Sequence, residues 1–539
     1  MHADSFSEGE GAFRPRERSP IRENTPISTG ALAPEGCPVP HPFALFAKGW
    51  DTRKVAYAAA LTTLILLAGC HPVGPNYNRP GYHAPTAYKD TGATAVVTPP
   101  PNPQGGAWSP ANPSDGMLKG KWWQIYNDPA LDTLEDRVTT NNVQLQQAYQ
   151  TYQAARAQVS VVRANLFPVL SAGASISRSR SSAHRPLASS SSNTTANDYF
   201  LGGQASWEPD FWGRIRRGIE AAHANYQATA ADMANIDLSL HAEMATDYFA
   251  LRGLDAQQQL LTRTVGDMQH QLDLADQRLR GGVATEADVE LARTQLQTTR
   301  AQLVDVGVAR AQFEHAIGTL ANYDITSFAV PAAPLDLPLP KVPTGVPSQL
   351  LQRRPDIAVA ERLTDAANAQ IGIAISAFYP TITLGASGGF ESTHPGTWIQ
   401  GPSAMWSLGA QATELLFDAG QRHAFTAEAQ HNYLAQTDAY RNTVFQAFND
   451  VEDQLSTLQI LEQEASVEGQ AVASAQSSFN ISNQRYQGGV TSYLEVLTAE
   501  AALLQNQRTA IDIETRRFAA SVGLVRALGG GWDVTQLPK

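Results

Sequence analysis

Cysteine is nearly absent from this 539-residue chain, with only Cys37 and Cys70. Two thiols cannot build a disulfide framework or a multi-cysteine metal site. Charged residues make up 17% of the chain, and the net charge of −12 argues against a nucleic-acid partner. Long apolar runs are also missing, with one exception near the N-terminus, and the mean hydropathy of −0.26 rules out a polytopic helical membrane protein. Proline is absent from three stretches: 130–167, 210–330 and 403–537. Such gaps leave room for helices of unusual length. No P-loop, His-Glu-x-x-His or dinucleotide glycine pattern occurs, and the histidines lack metal-ligand spacing. Gly385-Ala-Ser387-Gly-Gly389 has the form of a hydrolase elbow but falls in a strand-like segment, where that motif has no function. The chain reads as a non-enzyme without a bound cofactor.

The exceptional apolar run spans Val55 to Cys70 and follows Arg53 and Lys54. A basic n-region, an apolar core and small residues at the end make a secretory signal. Its end, Leu67-Ala68-Gly69-Cys70, resembles a bacterial lipobox, in which Cys70 is acylated and becomes the mature N-terminus. A covalent lipid on Cys70 is then the only prosthetic group expected. Cys37 lies upstream and would be lost. Residues 1–47 are too long for an ordinary n-region, and read equally as an extension or as the product of a start placed too far upstream.

What is present in abundance is repetition. Arg278-Leu-Arg-Gly281-Gly282-Val283 recurs as Arg485-Tyr-Gln-Gly488-Gly489-Val490, 207 residues later. The same offset relates Val289 to Val496, Ala292 to Ala499, Leu296 to Leu503 and Gly213 to Gly420. A spacing so long indicates a half-chain duplication rather than a short solenoid repeat. Apolar residues at alternating steps of three and four predict one long helix over 211–280 and another over 421–487. Shorter helices are expected over 130–165, 284–320, 356–377 and 491–528. The short helices of the first half, close to the long one in summed length, would lie end to end beside it.

Two strand pairs sit between short and long helices. Leu170, Ala172, Ala174 and Ile176 alternate with small polar residues. So do Leu201, Gly203, Ala205 and Trp207, then Ile382, Leu384, Ala386 and Phe390, then Trp406, Leu408, Ala410 and Ala412. Alternation over about ten residues fits a transmembrane β-barrel, although a soluble half-buried hairpin shows the same pattern. The Ser-rich segment 181–197 would be the outer turn. Four strands cannot close a barrel, so membrane insertion would require several copies. The domain organisation expected is an extension and signal over 1–69, a lipidated tether over 70–129, a first repeat over 130–340 and a second over 341–539.

Several spaced motifs resemble the TolC family of outer-membrane efflux channels, in its lipidated NodT-type branch. They are Gly74-Pro75-Asn76-Tyr77 with Arg79-Pro80, Trp122-Trp123 leading to Asn127-Asp128-Pro129, and Leu351-Gln-Arg-Arg-Pro-Asp-Ile357 continuing to Phe378-Tyr-Pro380. The resemblance implies a mainly α fold with a membrane β-barrel. Three chains of four strands would form a twelve-stranded barrel in the outer membrane of a Gram-negative bacterium, above a long α-helical barrel reaching into the periplasm. It implies a homotrimeric exit duct of a tripartite efflux pump. The partners would be a periplasmic adaptor, an inner-membrane pump of the resistance-nodulation-division type and outer-membrane lipid. The tip residues Arg278, Gly281, Gly282, Val283, Arg485, Gly488, Gly489 and Val490 would dock the adaptor. By the family pattern, Glu495 and its counterpart Asp288 would ring the periplasmic gate, while Thr498 replaces a second acid often found there. For each acid the alternative is an ordinary solvated helix residue. Two other readings stay open: the exit duct of a type I protein-secretion system, and a non-conducting periplasmic coiled-coil lipoprotein.

Overall fold

Two helices of equal length dominate the computed structural model. It describes residues 72–81, 88–89, 120–180, 182, 195–342 and 350–538, all within the unit Leu66–Lys539. Helix α1 is Pro129–Asn141 and α2 is Val143–Ala164, followed by strands β1 (Val169–Arg180) and β2 (Thr195–Trp207). Helix α3 then runs over Arg214–Arg280 and α4 over Glu286–Leu320. In the second half α5 is Pro355–Ser376, β3 is Thr381–Ser392, β4 is Ala404–Thr413, α6 is Gln421–Gln487 and α7 is Tyr493–Ala527. Both α3 and α6 have 67 residues, which at 1.5 Å per residue makes rods of roughly 100 Å. Both α4 and α7 have 35 residues. The acylation cysteine Cys70 and most of the tether lie outside the described residues. Among the described residues no helix is long and apolar enough to cross a membrane.

Helix α3 packs against α2 and α4 of its own half and against α5 and α7 of the other, while α6 packs against α5 and α7. The two halves are therefore interleaved. Alanines line the α3 seam, with Ala221, Ala224, Ala228 and Ala231 buried, and α5 contributes the buried Ala366 and Ala369. Small side chains let the backbones approach closely, and leucine-rich coiled-coil packing is not needed.

The first short helix departs from the expected single segment 130–165. It breaks at Asn142, whose backbone is extended (φ −63°, ψ 127°). The Asn142 carboxamide accepts from the Leu145 amide, capping α2, and donates to the Leu320 carbonyl at 2.8 Å. A residue that caps one helix and ties down the end of another holds the chain out of helical geometry. Likewise β2 begins at Thr195, within the segment expected to be the outer turn.

The four strands form one antiparallel sheet in the order β1-β2-β3-β4. Leu170 pairs with Ala205, Ala205 with Ala386, and Ala386 with Leu408. Carried across the sheet, this register puts all sixteen of the apolar alternates named above on one face. The opposite face carries Ser171, Ser175, Gln204, Ser206, Thr383, Ser387, Ser407 and Gln411. Gly385, Ser387 and Gly389 lie within β3. At the helical end of the sheet Trp207 Nε1 donates to the Leu166 carbonyl, and Trp212, stacked on Tyr379, donates to that of Pro380.

Two motifs acquire structural roles. Trp122, Trp123 and Tyr126 are buried in the largest apolar cluster with Tyr248, Phe249 and Phe518. The Asp128 carboxylate caps α1 and accepts from the Tyr248 hydroxyl. The segment after the lipobox is strapped to the helices. Buried Arg217 donates to the carbonyls of Val73 and Gly74 and to the Asn76 carboxamide oxygen, each at 3.0–3.1 Å. Asn368 donates to the Pro75 carbonyl, and the Tyr77 hydroxyl to Glu361. Gly74 has φ +93°, and a Cβ there would collide with the backbone of Gly372, so both positions need glycine. Arg354 forks onto Asp356 and Asp450, tying the start of α5 to α6.

Candidate functional site

The hairpins at the far end of the long helices carry every tip and gate residue named above. Each long helix ends in the same turn. Gly282 has φ +74° and Gly489 φ +72°, and the amides of Val283 and Val490 return to the carbonyls of Arg278 and Arg485 at 2.9 Å. This is the Schellman closure, in which a left-handed glycine lets the last carbonyls find donors. It leaves Val283 and Val490 projecting, 72% and 71% exposed. An isolated exposed valine is ordinary, whereas here two stand exposed at adjoining tips.

Below the turns, Met268, Leu272, Ala275, Val289, Ala292, Leu296, Tyr486, Tyr493 and Val496 form a buried cluster joining the two hairpins. Of the residues related by the 207-residue offset, Val289, Val496, Ala292 and Leu296 belong to this shared core. Arg278 crosses between the hairpins: Nη1 donates to the Tyr486 carbonyl at 2.6 Å, and the guanidinium lies 4.6 Å from the centre of the Tyr486 ring. Tyr486 meets Tyr493 edge-on at 5.4 Å. The Tyr493 hydroxyl donates to Gln271 Oε1, and Gln271 Nε2 donates to Glu500. A continuous polar chain thus spans the seam between α3 and α7.

The duplicated positions have diverged in use. Thr285 and Asp288 form a reciprocal capping box at the start of α4, the Asp288 carboxylate accepting from the Thr285 amide and hydroxyl. In the second hairpin Ser492 makes no side-chain cap. Its counterpart acid, Glu495, faces Arg485 at 3.5 Å with both side chains half exposed. Asp288 is therefore held by its own helix end, whereas Glu495 stands toward solvent in a pair of the kind that contributes little stability. Thr498 hydrogen-bonds back to the Leu494 carbonyl.

Sequence reasoning missed Glu500. It is 4% exposed in the apolar stripe Tyr493, Val496, Glu500, Leu503 of α7, and one carboxylate oxygen has no hydrogen-bond partner. Burial, reinforced by the charge of Asp267, pushes its carboxyl up to about 7, against the opposing hydrogen bond from Gln271. An acid at i, i+3, i+7 spacing among buried apolar residues was the available signal.

Residues 134–322 and 346–530 match the sequence profile of the family described as outer membrane efflux protein. The chain belongs to that family. It is 32% identical over 474 residues to the toluene efflux pump outer membrane protein TtgC of Pseudomonas putida, covering 87% of this chain and 94% of that one. It is 31% identical to outer membrane protein OprJ of Pseudomonas aeruginosa, covering 89% and 97%. The solved structure of the outer-membrane channel OprN superposes with a TM-score of 0.77 at 27% identity, covering 85% of this chain and 99% of that one. As a member of its family, this efflux protein is an outer-membrane exit channel of a Gram-negative efflux pump. Its sheet end belongs to the outer membrane, and its helices extend into the periplasm. The family is one of channel proteins, not of enzymes.

Proposed function

We propose that three copies of this efflux protein close into a passive duct, lipid-anchored through Cys70, whose hairpin tips dock a periplasmic adaptor and form the gate. The observation that carries the reading is the sheet. Between Leu170 and Ile176 and across the paired strands it has one apolar face and one polar face, and it has two open edges, β1 and β4. Open edges are not tolerated in lipid, and β4 of one copy pairing with β1 of the next removes them. Three copies give twelve strands, polar face inward. Exposed Leu416 and Phe417 beyond β4, and Phe167 before β1, would be covered by the same closure.

The anchor fits this geometry. Pro72 packs against Gly213, at the junction of β2 and α3. Cys70 precedes it by two residues in the sequence. An acyl chain there would enter the inner leaflet beside the Trp207, Trp212 and Tyr379 aromatics. At the other end, Val283 and Val490 with Arg278, Arg485 and the Gly281-Gly282 and Gly488-Gly489 turns make the docking tip. Glu495 supplies the acidic constriction, with Asp288 behind it as the capping residue of α4. Like carboxylates brought together by threefold symmetry would favour bound cations or partial protonation. The pump that supplies the energy would be of the resistance-nodulation-division type, a reading supported by the efflux-pump names of the relatives over protein secretion or a periplasmic scaffold.

Native mass spectrometry of the detergent-extracted protein should give three times the mature chain mass, and a stable monomer would contradict the reading. For the gate, charge reversal Glu495→Lys should lower cation selectivity and change single-channel conductance. If both stay at wild-type values, Glu495 is not the gate.

A further inference from the structure

Midway along α3, away from both the sheet and the tips, the structure holds a cavity of about 740 Å³. Its lining residues on α3, Met233 to His241, lie about 30 Å from the sheet end of that helix and about 60 Å from the tip. The other walls come chiefly from the turn Trp122–Tyr126, the start of α2 and the chain after α7. Trp122, Trp123, Tyr149 and Trp532 line it together with Met233 and Leu238. Trp122 and Trp123 meet edge to face at 5.8 Å, and Tyr149 is exposed.

Glycine makes the wall after α7. Gly529, Gly530 and Gly531 have φ of 92°, 58° and 89°, three left-handed residues in succession that glycine alone adopts without strain. A Cβ on Gly530 would fall 2.2 Å from Leu238 and 3.4 Å from Trp122. The turn brings Trp532 to the same cavity as α3. A volume of this size, mostly apolar walls and a few convergent polar groups are the make-up of a small-molecule site.

The charged groups at the cavity do not balance. Lys121 is paired with Asp136 at 2.5 Å. His241 stands between two carboxylates: Nδ1 donates to Glu135 at 2.6 Å, and Nε2 faces Asp237 at 3.4 Å. Burial pushes the Glu135 carboxyl up to about 7. Against its own burial, hydrogen bonds to Asp237 and Glu135 raise the His241 imidazole to about 9. At pH 8 all three groups are charged, and together they carry one net negative charge. The cavity meets that charge at Asp237. Glu135 is fully buried, and His241 is 2% exposed with its ring stacked on Trp123 at 4.4 Å. The Asp237 side chain, by contrast, is 44% exposed. A half-solvated carboxylate among aromatic rings attracts a cation through its own charge and through the negative faces of the rings.

We propose that this cavity binds an aromatic organic cation of single charge, with the charge beside Asp237 and the rings against Trp122, Tyr149 and Trp532. The site is separate from the tip gate and from the apolar face of the sheet, and it does not depend on how many copies assemble.

The test is equilibrium dialysis of the detergent-purified full-length protein at pH 8 against tetraphenylphosphonium. A parallel series uses tetraphenylborate, an anion of nearly the same shape, and uptake by protein-free micelles is subtracted from both. Wild type should bind the cation saturably, one per chain, and the anion about tenfold more weakly. Asp237→Asn keeps the shape of the cavity and should weaken cation binding about fivefold. Tyr149 lies outside the Glu135–His241 pair, so Tyr149→Ala tests the site even where Asp237→Asn fails to fold. It should weaken binding about threefold. Non-saturating uptake by wild type, equal binding of the anion, or wild-type affinity in either folded variant overturns the proposal.

Discussion

Substituting Glu500→Gln should free the tip seam from pH. Glu500 is 4% exposed and its carboxyl is pushed up to about 7, against 4.5 for an unburied glutamate. The closed seam therefore binds more protons than an opened one between these two values. Stability of the seam must fall as pH rises through that window and level off above about 7, since the slope follows the excess of protons bound by the open state. Between pH 5 and 8 the loss is about 2–3 kcal/mol, a factor of several tens in the opening equilibrium. Gln at this position keeps an acceptor for Gln271 Nε2 and carries no charge to desolvate, so the variant should match the acid-pH wild type throughout. The assay is hydrogen exchange of amides in residues 485–503, corrected for intrinsic exchange rates, at pH 5, 6, 7 and 8. Wild-type protection should drop steeply across the series while that of Glu500→Gln stays flat. Equal slopes for the two proteins would refute the reasoning.

Other perturbations test separate parts of the structure. Arg278→Ala removes a charge-assisted hydrogen bond and a ring contact across the hairpins, a loss of about 2 kcal/mol, and should raise the open probability of single channels in planar bilayers. Arg217→Ala leaves the carbonyls of Val73 and Gly74 without their donor, at about 2–4 kcal/mol. It should release the N-terminal strap, read as faster proteolysis near residue 80 with the helical body intact. Cys70→Ala should abolish incorporation of radiolabelled palmitate, while the trimer still forms.

Much of the fold is visible in local pattern. The 3.6-residue period places α3 within three residues of its true start, Arg214, and at its true end, Arg280, because an amphipathic stripe and a terminal Gly-Gly are local signals. The period-two alternation assigns the sheet faces that the register bears out. What escapes is long-range. The break at Asn142 depends on the Leu320 carbonyl, and the strap around Gly74 depends on Arg217 and Gly372, partners far away in sequence. At the tip, Thr285-Glu-Ala-Asp288 and Ser492-Tyr-Leu-Glu495 both have capping-box spacing. Only the first forms the box, and Arg485 faces the second acid. Which carboxylate is held and which is exposed cannot be read without the fold.

A duct gated at its hairpin tips must pass ions when it spans a bilayer. Planar-bilayer recording of the purified protein tests it most directly. Discrete, cation-selective conductance steps that change in size and selectivity on Glu495→Lys are the predicted result. A protein that assembles stably in detergent and inserts into the bilayer, yet carries no current, would contradict the account.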